Sequence, residues 1–355
     1  MTSLIRTYGR ALTALIGLLA ALWVFGMIVA PQITMIDHSF WYIERAGSAA
    51  ELSQKIDGLY NEVTLLELDR DALKNKTQDE AGKAKLADFE AQIAAKKAAI
   101  ADLETQENQP RKVYSGRNYT RMSSLHFQIF VKTIFYAALV TLLALIVCYP
   151  IAYAVAHLAT PNKAALLMLG LIVPYAINEL LRIYAWLMIL DYQGVLNSFL
   201  DWLGLVDIES RQWVPFLEYS GSVFVAMIYA YILFMVFPIY NTVETLDRNQ
   251  IEAARDLGAS TWMIHRRVVI PHAKPGIAVG CIMTFMLSAG SYSVPQIMTR
   301  GKGGDWFSQL IYRQFFESNN WNIGSAYAFT LLITCTLFIF LMMAIFRVGI
   351  RDIAK

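Results

Sequence analysis

Six blocks of predominantly apolar residues dominate this chain, at about 11–36, 127–157, 164–190, 222–243, 276–298 and 323–346. Each is long enough for a helix to cross the roughly 30 Å hydrocarbon core of a bilayer. Inside that core every backbone N–H and C=O must find a partner within the protein, which leaves helices and closed barrels as the only spanning structures. Blocks of this length predict an all-α integral membrane protein with six transmembrane helices. Composition agrees: of 355 residues, 56% are hydrophobic and only 16% are charged, against about a quarter charged in soluble domains. Pro150, Pro174, Pro238 and Pro295 lie within or near the ends of these blocks. Because neighbouring helices can satisfy the carbonyls a proline frees, each block is expected to remain one helix. The first block follows Arg6 and Arg10, as a secretory signal would. It is longer than a signal's apolar region of about 7–15 residues and lacks a clean A-x-A site, so it reads as a retained first span.

Orientation follows from the basic residues of short loops, which stay on the cytoplasmic side. Arg6 and Arg10 precede the first span; Arg248, Arg255, Arg266, Arg267 and Lys274 lie between the fourth and fifth; Arg347, Arg351 and Lys355 follow the sixth. Six spans put all three regions, and the turn at Lys163, on one face, so both termini are expected in the cytoplasm of a bacterial inner membrane. Arg300, Lys302 and Arg313 fall on the opposite face and run against the rule.

The chain divides into a first span (1–36), an extracytoplasmic insert (37–125) and a five-helix core (126–355). In the insert, Leu52, Ile56, Leu59, Val63 and Leu66 step by four, three, four and three, and Leu86, Phe89, Ile93, Ile100 and Leu103 continue a seven-residue pattern. Two such strings around the polar stretch at 74–83 predict an antiparallel hairpin of amphipathic helices with a narrow apolar seam. Docking a periplasmic partner and rigid spacing both fit it. Two shorter stretches on the same face, 194–205 and 305–317, group Val195, Leu196, Phe199, Leu200 and Leu203, and Trp306, Phe307, Leu310, Ile311 and Phe315. They read as scaffold helices lying in the membrane interface.

The cytoplasmic loop at 247–275 is the most informative segment. Glu252 to Leu257 favours a helix, Gly258 suits its C-terminal turn, and Ser260 can cap a second helical piece. Pro271 and Pro275 are expected to end that piece. The product is a basic helix–glycine–helix element with apolar residues on one side, a shape that fits a groove on a soluble partner. The spacing EAA-x3-G-x9-V-x-I-P, from Glu252, Ala253 and Ala254 through Gly258 to Pro271, resembles the EAA loop of permeases in binding-protein-dependent ABC importers. Val268 and Ile270 stand where that family usually has Ile and Leu. From about residue 132 to 346 the chain is similar to permeases of the spermidine/putrescine type. NELLRIYAWLMIL from Asn178 resembles their LRTYAW stretch, Gly194-Val195-Leu196-Asn197 their GLLN, and SYSVPQIMTRGKGG their GEFVIPDLLGG. Ser291 replaces the acidic residue of that last pattern, and the insert is longer than the family's usual first loop.

The resemblance implies a type I importer fold with a coupling helix gripping a cytoplasmic ATPase dimer. It also implies a second permease, different in sequence, and a periplasmic solute-binding protein. ATP and Mg²⁺ would sit on the ATPase: this chain has no G-x4-GK-[ST], and Gly301-Lys302-Gly303-Gly304-Asp305 reads as a turn. No cofactor, metal or nucleic-acid partner is indicated. Cys148, Cys281 and Cys335 are scattered through apolar blocks without a CxxC pair. The five histidines form no HExxH, so the chain is not read as an enzyme.

Glu179 and Arg182 lie inside the third span, where ionisable groups are costly. Two readings stand: Glu179 draws a cation along the pathway, or the two, three residues apart on one helix face, neutralise each other. Tyr175, Trp186, Asp191 and Tyr192 would suit a polyamine through carboxylate and cation–π contacts. Ser288, Ser291, Tyr292 and Ser293 either line the path or bond between helices. Opines, amino acids and other small organic cations are alternative solutes. A membrane anchor that signals through its outer hairpin is the alternative of another class.

Overall fold

The computed structural model describes residues 2–44, 48–74, 80–108, 111–158, 160–300 and 306–349. Lys302 and the glycine turn at 301–305, the link at 75–79, and Arg351 and Lys355 lie outside them. The chain divides into two compact units, Asp37–Thr120 and the combination of Met1–Ile36 with Arg121–Lys355.

In the smaller unit, β1 (Trp41–Glu44) pairs antiparallel with β2 (Arg111–Tyr114), Trp41 opposite Tyr114. Between them run the long helices α3 (Ser48–Lys74) and α4 (Glu80–Asn108). Ile56 and Val63 of α3 and Ile93 and Ile100 of α4 are its buried apolar seam; each pair is a heptad apart and shares one helix face. Lys96 pairs with Glu62, Lys97 Nζ lies 2.8 Å from Glu67 Oε1, and the Tyr60 hydroxyl donates to Glu104 at 2.9 Å. From the Tyr60–Glu104 link to the Glu67–Lys97 link the numbers rise on α3 and fall on α4, so the helices run antiparallel. The Asp37 carboxylate accepts from Trp41 Nε1, the Tyr114 hydroxyl and Lys112 Nζ, and the Lys112 ammonium sits 4.2 Å from the Trp41 ring centre. The ribbon was not anticipated; four-residue strands are too short for an alternating pattern to stand out.

The larger unit is a helical bundle. Helix α1 (Thr2–Val24), a π-helical stretch (Phe25–Val29) and α2 (Ala30–Ser39) form a first apolar segment. Over its hydropathic window, within Gly9–Ser39, no residue is buried inside the chain. The centre consists of α6 (Ser124–Tyr153), α10 (Ser220–Glu244) and α13 (Ile270–Gly290), packed on one another, with α16 (Trp321–Phe346) against α13. Where α10 meets α13 the backbones approach closely. A Cβ on Gly276 would fall on Thr242 Oγ1 and the Pro238 carbonyl oxygen, and one on Gly280 would lie 2.8 Å from Met235 Sδ. Small residues spaced four apart permit this contact in a membrane, where helix association relies on packing rather than on the hydrophobic effect.

Three expectations are corrected. The third block is not one helix. α7 (Pro161–Ile172) runs into a 3₁₀ turn (Val173–Ala176), Ile177 is extended, and α8 (Glu179–Leu190) starts afresh; the two halves meet at 100°. Pro174 has no N–H for the helical ladder, and the Asn178 side chain caps the new helix by accepting Leu180 N–H at 2.8 Å. The fifth block also breaks, at an extended Ser291 rather than at Pro295, which lies inside α14 (Ser293–Met298). Conversely, Pro271 and Pro275 end nothing: α12 (Thr261–Ile264), a π-helical stretch (His265–Val269) and α13 form one helix, Thr261–Gly290. The widened π turn just ahead of Pro271 shifts the ladder that the proline would otherwise break.

The two short amphipathic stretches behave differently. On α9 (Val195–Trp202), Val195, Phe199 and Trp202 are exposed, as an interfacial helix requires. On α15 (Phe307–Tyr312), Phe307 and Leu310 are buried against Ile129 and Tyr327, and Trp306 is buried as well. That segment is core, closed by Phe307 N–H donating to Thr133 Oγ1 at 2.9 Å.

Candidate functional site

The loop at 247–275 is built from local rules. Asp247 caps α11 (Arg248–Asp256) by accepting the Asn249 N–H at 3.0 Å. At the far end Ala259 N–H donates to Ala254 O at 3.0 Å and Gly258 N–H to Arg255 O at 2.9 Å. That pair of bonds is a Schellman turn, which needs a left-handed residue, and Gly258 supplies it with φ +79°. Ser260 then accepts the Met263 N–H at 3.4 Å and starts α12. One side of this helix–turn–helix is anchored: Ile251, Ile264 and Val269 are buried in a core shared with α6, α10 and α13. The other side faces solvent. Glu252, Ala253, Gly258 and Pro271 are exposed, Ala254 is partly covered, and the apolar tips Leu257 and Trp262 are 88% and 71% exposed. Large apolar side chains held this far out of a packed loop mark an interaction surface. Leu257 and Trp262 were not singled out from sequence. The signal that points to them is their place beside the turn: Leu257 directly precedes Gly258, and Trp262 lies in the first turn of α12 after the Ser260 cap.

Beside this loop a cavity of about 460 Å³ opens between α6, α7, α10 and the start of α11, with His157, Tyr240, Glu244 and Arg248 in its wall.

The pathway candidates separate into two places. Glu179, Arg182, Tyr175 and Ser291 come together where the third and fifth blocks break. The Arg182 guanidinium lies 4.2 Å from the Tyr175 ring centre, with its Nε and Nη1 buried and without a hydrogen-bond partner. Among the described residues it makes no ion pair with Glu179, so mutual neutralisation gives way to a cation–π contact. The Tyr175 hydroxyl donates to Ala230 O and accepts Leu233 N–H. Tyr231, next along α10, is buried, with its hydroxyl beside Ser291 and within electrostatic reach of Glu179, Tyr175 and Arg182. Tyr231 was missed from sequence; a hydroxyl inside an apolar span was its signal.

The remaining candidates lie elsewhere. Trp186 packs on the Tyr229 ring, centroids 5.5 Å apart. Tyr292 packs on Tyr312 at 4.7 Å. Asp191 is engaged by Arg300 at 2.6 Å, while the Tyr192 hydroxyl donates to Glu218 at 3.0 Å. One of the arginines that ran against the charge rule is therefore neutralised locally.

Comparison with known proteins matches this arrangement. Residues 157–354 fit the family model of the binding-protein-dependent transport system inner membrane component. The spermidine/putrescine transport system permease protein PotB of Escherichia coli is 36% identical over 226 residues, covering 63% of this chain and 79% of that protein. PotB of Haemophilus influenzae is 30% identical over 224 residues, covering 63% and 76%. Among solved structures, a bacterial ABC transporter that imports the acidic polysaccharide alginate superposes with a TM-score of 0.53 at 17% identity, over 68% of this chain and 85% of that one. That likeness speaks for the fold. With the apolar helices, the anchored loop and these matches in place, the chain belongs to the inner membrane components of binding-protein-dependent transport systems, and is a multi-pass permease subunit of an ABC importer.

Proposed function

We propose that this permease carries polyamines of the spermidine and putrescine class, as one of two different permeases around a shared pathway. Both termini and the loop at 247–275 face the cytoplasm, and Asp37–Thr120 faces the periplasm, as the basic residues of the loops require. Leu257 and Trp262 seat in a cleft of an ATPase subunit that binds ATP and Mg²⁺, one of a pair, and a periplasmic binding protein delivers the solute. The observation that carries this is the loop's two-sided construction: Ile251 and Ile264 buried in the bundle, Leu257 and Trp262 presented outward. Such an element passes a push from a soluble partner into the helices it is rooted in. Polyamine selectivity is supported by the PotB relatives and by the rings and carboxylate gathered at Glu179, Tyr175 and Tyr231, which suit ammonium groups.

One observation favours a second reading. Arg182 is a fixed cation at the same break with no ion pair among the described residues, which suits a solute that carries its own carboxylate, such as an amino acid or opine. Uptake of labelled spermidine by cells expressing the complete system, with putrescine, arginine and an opine as competitors, separates the two. Competition by putrescine alone supports the polyamine reading, and competition by the carboxylated solutes alone replaces it.

A further inference from the structure

Two π-helical stretches border the contact between α6 and the second helical piece of the loop at 247–275. One, Ala154–Leu158, continues α6 directly; the other, His265–Val269, continues α12. Single widened turns inside a helix recur at functional hinges because they leave the backbone ladder out of step. These two are joined through side chains. Tyr149 and Tyr153 lie one turn apart on one face of α6, and His157 follows in its π-helical continuation. The His265 ring lies against that face, its Nδ1 sharing a hydrogen bond of 2.7 Å with the Tyr149 hydroxyl. Tyr153 packs edge-on at 4.5 Å between ring centres, and also contacts His157 at 5.4 Å. His157 Nε2 in turn donates to Val243 O at 3.0 Å, one turn before the cap of α11. The residues flanking His265 in this part of the helix, Ile264 and Val269, are buried.

We propose that His265, held by Tyr149, is a positioning residue that transmits movement of the coupling element to α6. The proposal rests on reading 247–275 as that element. Helix α11 is tied to the bundle by apolar packing, which tolerates sliding. The bond between His265 and Tyr149 is directional, and breaking it in a half-buried setting strands two polar groups. When the ATPase moves the loop, α6 follows instead of the joint yielding. The π turn that follows Tyr153 and the one that begins at His265 provide the slack that lets both helices shift without unwinding.

The test uses the full complex in proteoliposomes: both permeases, the ATPase and the binding protein. Its readout is ATP hydrolysis without added solute, and the stimulation by binding protein. Tyr149→Phe removes one oxygen and keeps the ring; His265→Phe keeps the packing on Tyr153 and loses the bond. Each should raise unstimulated hydrolysis about threefold or more and reduce stimulation by a similar factor. The double variant should be no worse than either single, since both remove the same bond, and His265→Gln, whose amide can reach Tyr149, should restore coupling. Unchanged hydrolysis in Tyr149→Phe, or effects that multiply in the double variant, overturns the proposal. Where His265→Phe fails to assemble, Tyr149→Phe alone decides between these outcomes. Leu257→Asp serves as the separate control: a complex that retains its ATPase despite that charge refutes the docking reading itself.

Discussion

The close passage of α10 and α13 makes Gly276 the position where one methyl group should cost most. An alanine Cβ there would overlap Thr242 Oγ1 and the Pro238 carbonyl oxygen and stand 2.8 Å from the Pro238 carbonyl carbon. Carbon atoms in comfortable contact lie about 3.5–4.0 Å apart, so the helices must part by about 1 Å. The obstacle cannot rotate away, because it is backbone, and Thr242 is held by its hydrogen bond to Pro238 O at 3.0 Å. Overpacking of this kind costs about 1–3 kcal/mol, and a backbone clash belongs at the top of that range. At Gly280 the closest atom is Met235 Sδ, the movable end of a flexible side chain, and Met235 O stands at 3.1 Å. Gly280→Ala should therefore cost about 1 kcal/mol. Gly17, with nothing within 4 Å, gives a reference: its alanine should be neutral or slightly stabilising through helix propensity. Thermal denaturation of the purified complex, followed by size-exclusion chromatography, should rank Gly276→Ala well below Gly280→Ala, and Gly17→Ala level with the parent. A Gly276→Ala complex as stable as the parent, or more stable than Gly280→Ala, refutes the argument from close approach.

Other outcomes follow from the same geometry. Gly258→Ala must hold a Cβ at φ +79° with open space around it, costing about 1–2 kcal/mol locally; pull-down of the ATPase should weaken while the membrane core keeps its melting temperature. Asn178→Ala removes the cap of α8 at the bend and should cost about 1 kcal/mol, read as a lower melting temperature of the complex. Asp191→Asn breaks a pair whose side chains are 40% and 45% exposed, so stability should change by about 1 kcal/mol or less; a larger loss would show the pair to be structural. Tyr231→Phe leaves the ring packing and removes the hydroxyl beside Ser291. Uptake assays should show a raised KM with normal complex yield if that hydroxyl faces the solute, and no change if it only ties α10 to the break.

Much of this protein is written in short-range patterns. The apolar blocks had to become helices because a bilayer offers backbone groups no other partner, and α6, α10 and α16 appear close to where hydropathy alone puts them. The loop at 247–275 was legible for a similar reason: a Schellman turn and a serine cap are closed by bonds spanning three to five residues, so Gly258 and Ser260 specify them wherever the loop lies. The seam of Ile56, Val63, Ile93 and Ile100 is likewise periodic.

The break in the third block was not legible, because a proline in an apolar run allows either a tolerated kink or a new helix, and neighbours decide between them; the fifth block breaks at Ser291, where no proline marks the place. Pro174 sits at a 100° bend, whereas Pro271 and Pro275 ride inside a continuous helix beside a π turn. Nor does any local pattern bring Arg182 over Tyr175 instead of against Glu179, set Tyr231 beside Ser291, or carry Arg300 to Asp191 across 109 residues. Sequence by itself determined which segments enter the membrane and how the exposed loop turns, because those are settled by bonds within a few residues and by the choice of solvent. Tertiary structure alone decided where helices break and which polar groups share a site, because those depend on which surfaces are left to pack.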